Sequence, residues 1–171
     1  VLEHQAHMHN YITRLNFETQ MMMAMYGHIR YLRHQQEAFL RYLLFVEEVP
    51  LTAALKGNPE FTTAFQQAGP RDGQGRSLRD LDLQTRLFKF PCSFLIYSDA
   101  FAKLPQVMKE ELLRRLHAIL TGEDKSAAFA KIAASDRQAI LEILRATLPG
   151  LPDYWRANGV AGSGTTPRTG G

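Results

Sequence analysis

Residues 77–105 read SLRDLDLQTRLFKFPCSFLIYSDAFAKLP, and in this stretch a charged half is followed by the densest apolar and aromatic run in the chain. In the second half, large apolar side chains recur at spacings of three and four: Phe90, Phe94, Tyr97, Phe101 and Leu104. Such spacing lines one side of a helix. Ser77 followed by Asp80 is typical of a helix start, so a second short helix is expected upstream. We therefore predict two helices that meet at a corner near Phe90, the second of them buried at the centre of the fold.

The composition of the chain is that of an ordinary globular protein. Of its 171 residues, 45% are hydrophobic and 22% are charged, which suits one domain with a substantial core. The net charge of +3 comes without a clustered basic stripe, so the sequence does not predict nucleic-acid binding. No stretch approaches the roughly 20 apolar residues of a membrane span. The chain begins with Val1 and shows no signal peptide, and we expect it to be a fragment or a processed product.

Helical periodicity runs through most of the sequence. Residues 1–48 contain no proline and predict a long N-terminal pair of helices that breaks near Gly27. Residues 49–156 predict the remaining helices around the 77–105 segment, which gives an all-α bundle of six or seven helices. Residues 157–171 are rich in glycine, serine and threonine and poor in apolar side chains, so they predict a disordered tail.

Three blocks carry a resemblance to a known group of proteins. They are LLFVEEVPLT at 43–52, GPRDGQGRSLRDLDLQTRLFKFPCSFLIYS at 69–98 and SDRQAILEILRATLPGLPDYW at 135–155. Their order resembles the C-terminal part of a group of uncharacterised, exported bacterial proteins in which cytochrome c-like segments lie upstream. The resemblance implies a periplasmic or exported location. It also implies a protein partner, or an upstream redox domain of the same chain, and haem as a possible cofactor.

Histidines are concentrated at the start of the chain, where five of the six fall in the first 34 residues. On a helix, His4 and His7 share a face and could reach one metal ion. His7 or His28 could instead contact a haem. The simpler interpretation is that these histidines lie on the polar face and the boundary of a helix.

Methionines follow the histidines, at positions 21, 22, 23 and 25. Thioether ligands for a soft metal are one interpretation. The simpler interpretation is that these side chains fill an irregular core or a helix interface, because methionine adapts to gaps.

The only cysteine, Cys92, excludes an intrachain disulfide and a CxxCH haem attachment within this chain. In a first helical turn beside Lys89, its thiol pKa would fall and the thiolate would be reactive. The alternative is a packed, inert cysteine, because free cysteine is among the most buried residue types.

Charged residues in the first half of the 77–105 segment predict a structural ion-pair network that ties the 69–76 loop to the central helix. Its members are Arg79, Asp80, Asp82 and Arg86. An anion-binding loop at 69–79 is a weaker hypothesis, because the spacing lacks the GxxxxGK[ST] pattern.

Two functional hypotheses follow from these observations. The first is a non-catalytic helical module of a larger exported bacterial protein that docks on or covers a cytochrome-like redox domain. The second is a small haem- or metal-binding electron carrier or enzyme that uses His4, His7 or His28.

Overall fold

The computed structural model describes residues 1–156 and is entirely helical there apart from turns and loops. Helices account for 59% of the described residues, and no strand occurs among them, so the predicted all-α class is confirmed. The α-helices are α1 Leu2–Tyr26, α2 Arg33–Leu43, α3 Pro59–Gln67, α4 Asp99–Ala102, α5 Gln106–Thr121 and α6 Ala134–Thr147. Short 3-10 helices lie at Arg30–Leu32, Phe94–Tyr97, Ala127–Phe129 and Asp153–Trp155. The disordered tail predicted for 157–171 lies outside the described residues.

The N-terminal pair breaks where the sequence predicts. Gly27 has φ 70° and donates its backbone N–H to Met23 O at 3.0 Å, which ends α1 in a left-handed cap. One side of α1 packs on the core through Met8, Ile12, Leu15 and Thr19. No α1 residue beyond Thr19 is fully buried, so the last two turns of this helix extend past the core.

The second half of the chain closes the core with a pair of helices and a folded-back end. α5 and α6 pack on each other, and Gly122 ends α5 with φ 77°. The indole of Trp155 is completely buried, and the backbone carbonyl of Trp155 accepts a hydrogen bond from the guanidinium of Arg145. The side chain of His117 lies edge-on to the indole, with ring centroids 5.2 Å apart.

The helix predicted from Ser77 is absent, and the segment forms a hairpin-like loop instead. Leu81 and Phe88 form an isolated antiparallel bridge, and Leu83, at the tip, has φ 61°. The carboxylate of Asp82 accepts hydrogen bonds from Thr85 N at 3.3 Å, from Thr85 Oγ1 at 2.5 Å and from Arg86 N at 3.3 Å. Such side-chain contacts with the nearby backbone compete with helix formation, which explains why the prediction was wrong.

The aromatic half of the segment is the buried centre of the fold, although it is not one helix. It divides into the 3-10 helix Phe94–Tyr97 and the short α4, because the Ser98 hydroxyl caps α4 by accepting from Phe101 N at 3.2 Å. The rings of Phe88, Phe90, Phe94 and Phe101 are buried. The predicted role of this stretch is confirmed, and its predicted geometry is corrected.

Candidate functional site: a groove at the N-terminus of α1

A groove with a volume of about 950 Å³ opens between the start of α1, the outer face of α2 and the segment that follows α2. Three histidines, three aromatic residues and four carboxylates are among the side chains that line it. These are His4, His7, His34, Tyr11, Tyr42, Phe45, Glu3, Glu37, Glu47 and Glu48. We call this feature the N-terminal groove.

The wall of the groove is a row of stacked rings centred on His4. The imidazole lies between Tyr42 and Phe45, with ring centroids 5.2 and 4.7 Å away. Its Nε2 atom forms a hydrogen bond with Ser93 Oγ at 2.8 Å, and Ser93 is fully buried. Burial lowers the pKa of His4 to about 4. The imidazole is therefore neutral at physiological pH and anchors the N-terminus of α1 to the central segment.

Phe45 reaches this row through an unusual backbone conformation. α2 ends at Leu43, and Phe45 has φ 52°, in the left-handed region that bulky residues rarely occupy. The turn brings the Phe45 ring against both His4 and Phe88, the latter at 5.3 Å between centroids. Strained backbone of this kind is concentrated at functional sites in proteins, which supports a functional role for the segment after α2.

His7 and Tyr11 continue the lining one and two turns further along α1. His7 is exposed and presents its edge to Tyr42 at 6.2 Å, while the Tyr11 ring lies 5.2 Å from Tyr42. His34 is exposed on the other wall, at the start of α2. Sequence reasoning identified His4 and His7 but missed Tyr42 and Phe45, whose approach depends on how α1 and α2 pack.

The fixed charge of the groove is predominantly negative. Arg115 binds Glu37 through two hydrogen bonds of 2.5 and 3.1 Å, and Arg41 pairs with Glu47. Glu3 is exposed and Glu48 is half-buried. Burial raises the pKa of Glu48, although the backbone N–H of Leu87 and the charge of Arg86 oppose the shift. A cation that entered the groove would stabilise the ionised form of this carboxyl.

The histidines do not assemble a metal centre in the part of the chain that the structure describes. Within residues 1–156, no group of three or more histidine, cysteine, aspartate or glutamate side chains is arranged to hold a metal ion. In addition, His4 already uses its Nε2 atom in the bond to Ser93. The predicted His4 and His7 pair therefore gains no third ligand of these kinds.

The groove also does not fit a haem. A haem carries two propionate groups, and these would face Glu3 and Glu48, the two lining carboxylates that no arginine of the described structure pairs with. Of the two histidines predicted to contact haem, only His7 lies in the groove.

His28 lies at the opposite end of α1, just after Gly27. The helix rises about 1.5 Å per residue, so roughly 30 Å separates this end from His7. The His28 ring packs against Tyr26 and Tyr31, at 5.9 and 5.3 Å. It lines neither the N-terminal groove nor a second cavity of about 620 Å³ beside Arg86 and Asp136. His7 and His28 therefore cannot bind one haem together.

The side chains around His28 form an exposed apolar surface, which we call the α1 terminal patch. Met25 is 62% exposed and Tyr31 65%, and Met21 and Tyr26 complete the patch. Phe17, which is 67% exposed, lies further back along α1. Met23 is also exposed, so the interpretation of the methionines as core-filling residues holds only for Met22, which packs against the core. Contiguous exposed apolar surface in a folded protein is typical of an interaction site.

The predicted ion-pair network exists only in part and with different partners. Asp80 pairs with Arg71 at 3.0 Å, and Arg86 pairs with Asp136 of α6 through contacts of 2.7 and 3.0 Å. Asp82 caps the hairpin turn described above. The predicted ion pairs among these four residues are therefore absent. Asp80 and Arg86 instead hold the loop through ion pairs with Arg71 and Asp136.

Arg79 makes aromatic contacts in place of the predicted ion pair. Its guanidinium carbon lies 4.4 Å from the ring centroid of Phe94 and 4.8 Å from that of Phe65. Among the described residues no carboxylate forms an ion pair with it. Burial against these rings partly desolvates the guanidinium and lowers the pKa of Arg79.

The thiol of Cys92 is fully buried in the core and is not in a helix. Burial raises its pKa to about 12, the opposite of the shift that a reactive thiolate requires. The structure therefore favours the alternative of a packed, inert cysteine.

Comparison with known proteins identifies no relative: no family model, no curated protein and no solved structure matches the chain. Among residues 1–156, no helix has both the length and the apolar character needed to cross a lipid bilayer.

Proposed function

We propose that this chain is a non-catalytic helical binding module and that the N-terminal groove docks a positively charged segment of a partner protein. The observation that carries the proposal is the combination of an aromatic wall with unbalanced carboxylates in one groove of about 950 Å³. Aromatic rings supply contact area for the apolar stems of lysine and arginine, and carboxylates bind their cationic ends.

The state of the candidate catalytic groups supports binding over catalysis. A general base needs a pKa near the working pH, but the pKa of His4 is about 4 and its Nε2 atom is occupied by Ser93. The Cys92 thiol is sealed in the core. The groove thus offers recognition chemistry, supplied mainly by Tyr11, Tyr42 and Glu48.

We further propose, from the sequence resemblance, that the partner is a cytochrome-like redox domain of an exported bacterial protein. That identification requires the redox domain to present lysine or arginine side chains at its docking surface. The acidic groove supports a partner of this charge, and it opposes direct contact with haem propionates.

The test uses a peptide that alternates arginine with tyrosine and leucine, titrated into the protein at low and at high salt. We expect binding that weakens as salt screens the charges. Replacing both Glu3 and Glu48 with glutamine should weaken it by about tenfold, which corresponds to roughly 1.4 kcal/mol. Glu111→Gln is the matched control, because Glu111 pairs with Arg114 on the surface of α5, away from the groove.

Two results would contradict the proposal. One is equal binding of the peptide and of its counterpart with glutamate in place of arginine. The other is an equal loss of affinity in the groove variant and in the Glu111→Gln control.

A further inference from the structure

We infer that, when no redox partner occupies it, the N-terminal groove docks the α1 terminal patch of a second copy of this chain, so that copies associate head to tail. The inference rests on the proposed function, because it takes the groove as a site for a cationic, apolar segment and names that segment. It assigns a role to the exposed apolar side chains that the fold leaves uncovered.

The α1 terminal patch has the chemistry that the groove selects. Its exposed surface consists of aromatic and thioether side chains, and methionine is common on protein-binding surfaces because it adapts its shape. Arg30 and Arg33 are exposed beside Tyr31. Between residues 4 and 36 the only acidic side chain is Glu18, and it is paired with Arg14 at 2.7 Å. The patch is therefore apolar with a positive rim.

The two surfaces are complementary in charge, and both present aromatic rings. The groove presents Glu3 and Glu48 around stacked rings, and the patch presents Arg30 and Arg33 around Tyr31. Complementary charges of this kind speed encounter and fix the orientation of docking. A symmetrical contact of patch with patch would instead bring the arginine rims of both copies together, which opposes it.

The docking must occur between molecules. The wall of the groove formed by α1 and the patch lie at opposite ends of α1, a continuous helix of 25 residues and therefore about 37 Å long. The other wall reaches His34, which follows Arg33 in the sequence. A helix of this length cannot fold its own end back into the groove. Because the two contacting surfaces are different, each added copy leaves one groove and one patch free, and the association produces rings or open chains.

The experiment measures mass by sedimentation velocity at low salt over a wide range of protein concentration. The groove variant is Glu3→Lys with Glu47→Lys, and the patch variant is Met25→Glu with Tyr31→Glu. All four positions are exposed, so folding should be retained, and circular dichroism checks it. Leu55→Glu is the matched control, since Leu55 is an exposed apolar residue outside both surfaces.

We expect the unmodified chain and the Leu55→Glu control to form assemblies that grow with concentration. Each double variant alone should associate at least about tenfold more weakly. A mixture of the two double variants should form a complex that stops at two copies, because the groove variant retains a working patch and the patch variant retains a working groove. Restoration by mixing is specific to a head-to-tail contact.

Three outcomes would overturn the inference, and they separate it from the proposed function. If the unmodified chain remains monomeric while the groove still binds the arginine peptide, self-docking is wrong and the groove remains a partner site. If only the patch variant loses association, the contact is patch to patch. If the chain neither associates nor binds the peptide, both proposals fail.

Discussion

The contact of Arg79 with two phenylalanine rings gives the most direct test of how the central segment is held. The sequence predicted that Arg79 pairs with Asp80 or Asp82, whereas the structure places its guanidinium against the rings of both Phe65 and Phe94. The aromatic arrangement predicts energetic coupling between Arg79 and Phe94, whereas the ion pair predicts coupling between Arg79 and Asp80. A double-mutant cycle on the free energy of unfolding measures this coupling directly.

The distances set the expected magnitude. Guanidinium groups within about 6 Å of a ring centroid gain roughly 0.5–1 kcal/mol when exposed and about 2 kcal/mol when desolvated. Arg79 is half-buried and its guanidinium carbon lies 4.4 Å from the Phe94 centroid. The coupling between Arg79→Met and Phe94→Leu should therefore be about 1 kcal/mol. The coupling between Arg79→Met and Asp80→Asn should be close to zero, because Asp80 pairs with Arg71.

The assay is urea unfolding followed by the fluorescence of Trp155. This is the only tryptophan in the chain and it is fully buried, so its emission shifts to longer wavelength when the core opens. The three single variants and the two double variants complete both cycles. Coupling of Arg79 with Asp80 that exceeds its coupling with Phe94 would refute the aromatic arrangement and restore the predicted ion pair.

Further predictions address the buried groups, the pH dependence and the C-terminal end of the described structure. Because its pKa is raised to about 12, the Cys92 thiol should resist alkylation at neutral pH and react only when urea unfolds the chain; rapid labelling of the folded protein would contradict its burial. The pKa of His4 is about 4 in the folded state against 6.5 normally, so the unfolded chain takes up a proton first as the pH falls. Stability should therefore decrease between about pH 6.5 and pH 4, with His4 accounting for up to about 3 kcal/mol. His4→Gln should reduce this decrease and the exposed His9→Gln should not, as measured by urea unfolding at several pH values. Trp155→Ala should lower the free energy of unfolding by about 3–5 kcal/mol, and the exposed Tyr154→Ala by well under half of that amount. Unfolding is followed by circular dichroism. Equal effects of the two substitutions would show that the indole is not part of the core.

The break after α1 was predicted correctly from a local sequence signal, the glycine at position 27. Gly27 and Gly122 adopt the left-handed conformation that ends α1 and α5. The Asn58 side chain accepts hydrogen bonds from the backbone N–H groups of Glu60 and Phe61, as expected for the residue before Pro59. These signals work because a cap is satisfied within a few residues and does not depend on the rest of the chain.

The hairpin-like loop at residues 80–89 was not predicted, because the helical spacing of the residues that follow it suggested a helix on both sides of Phe90. Residues 80–83 alternate aspartate and leucine, a period of two that is typical of extended backbone, but Ser77 and Asp80 match a helix-capping pattern in the same stretch. The pairing of Arg86 with Asp136 spans 50 residues. No local pattern distinguishes that partner from the closer Asp82.

The histidine pattern identified two residues of the groove but not the groups that surround them. His4 and His7 do line one site, yet the group that meets His4 is Ser93, 89 residues further along the chain. Tyr42 and Phe45 reach the imidazole because α1 and α2 run antiparallel and because Phe45 adopts a positive φ. Spacing shows which side chains share a helix face, but the ligand that a face suits depends on the elements packed against it.

The methionines near the end of α1 also show that helical spacing does not reveal what packs against a helix face. Here the consequence is an exposed surface that we propose as a docking site. The methionines at 21, 22, 23 and 25 were expected to fill an irregular core or a helix interface, because methionine adapts to gaps. α1 has 25 residues, whereas α2 has 11, so α1 outruns its antiparallel neighbour by about 20 Å before the short connection is counted. In the last turns of α1, Met22 packs against the core, whereas Met21, Met23, Met25 and Tyr26 remain exposed. A helix buried in the core and a helix that docks on a partner show the same apolar pattern. The lengths of neighbouring helices decide whether the apolar residues are covered within the chain or remain exposed.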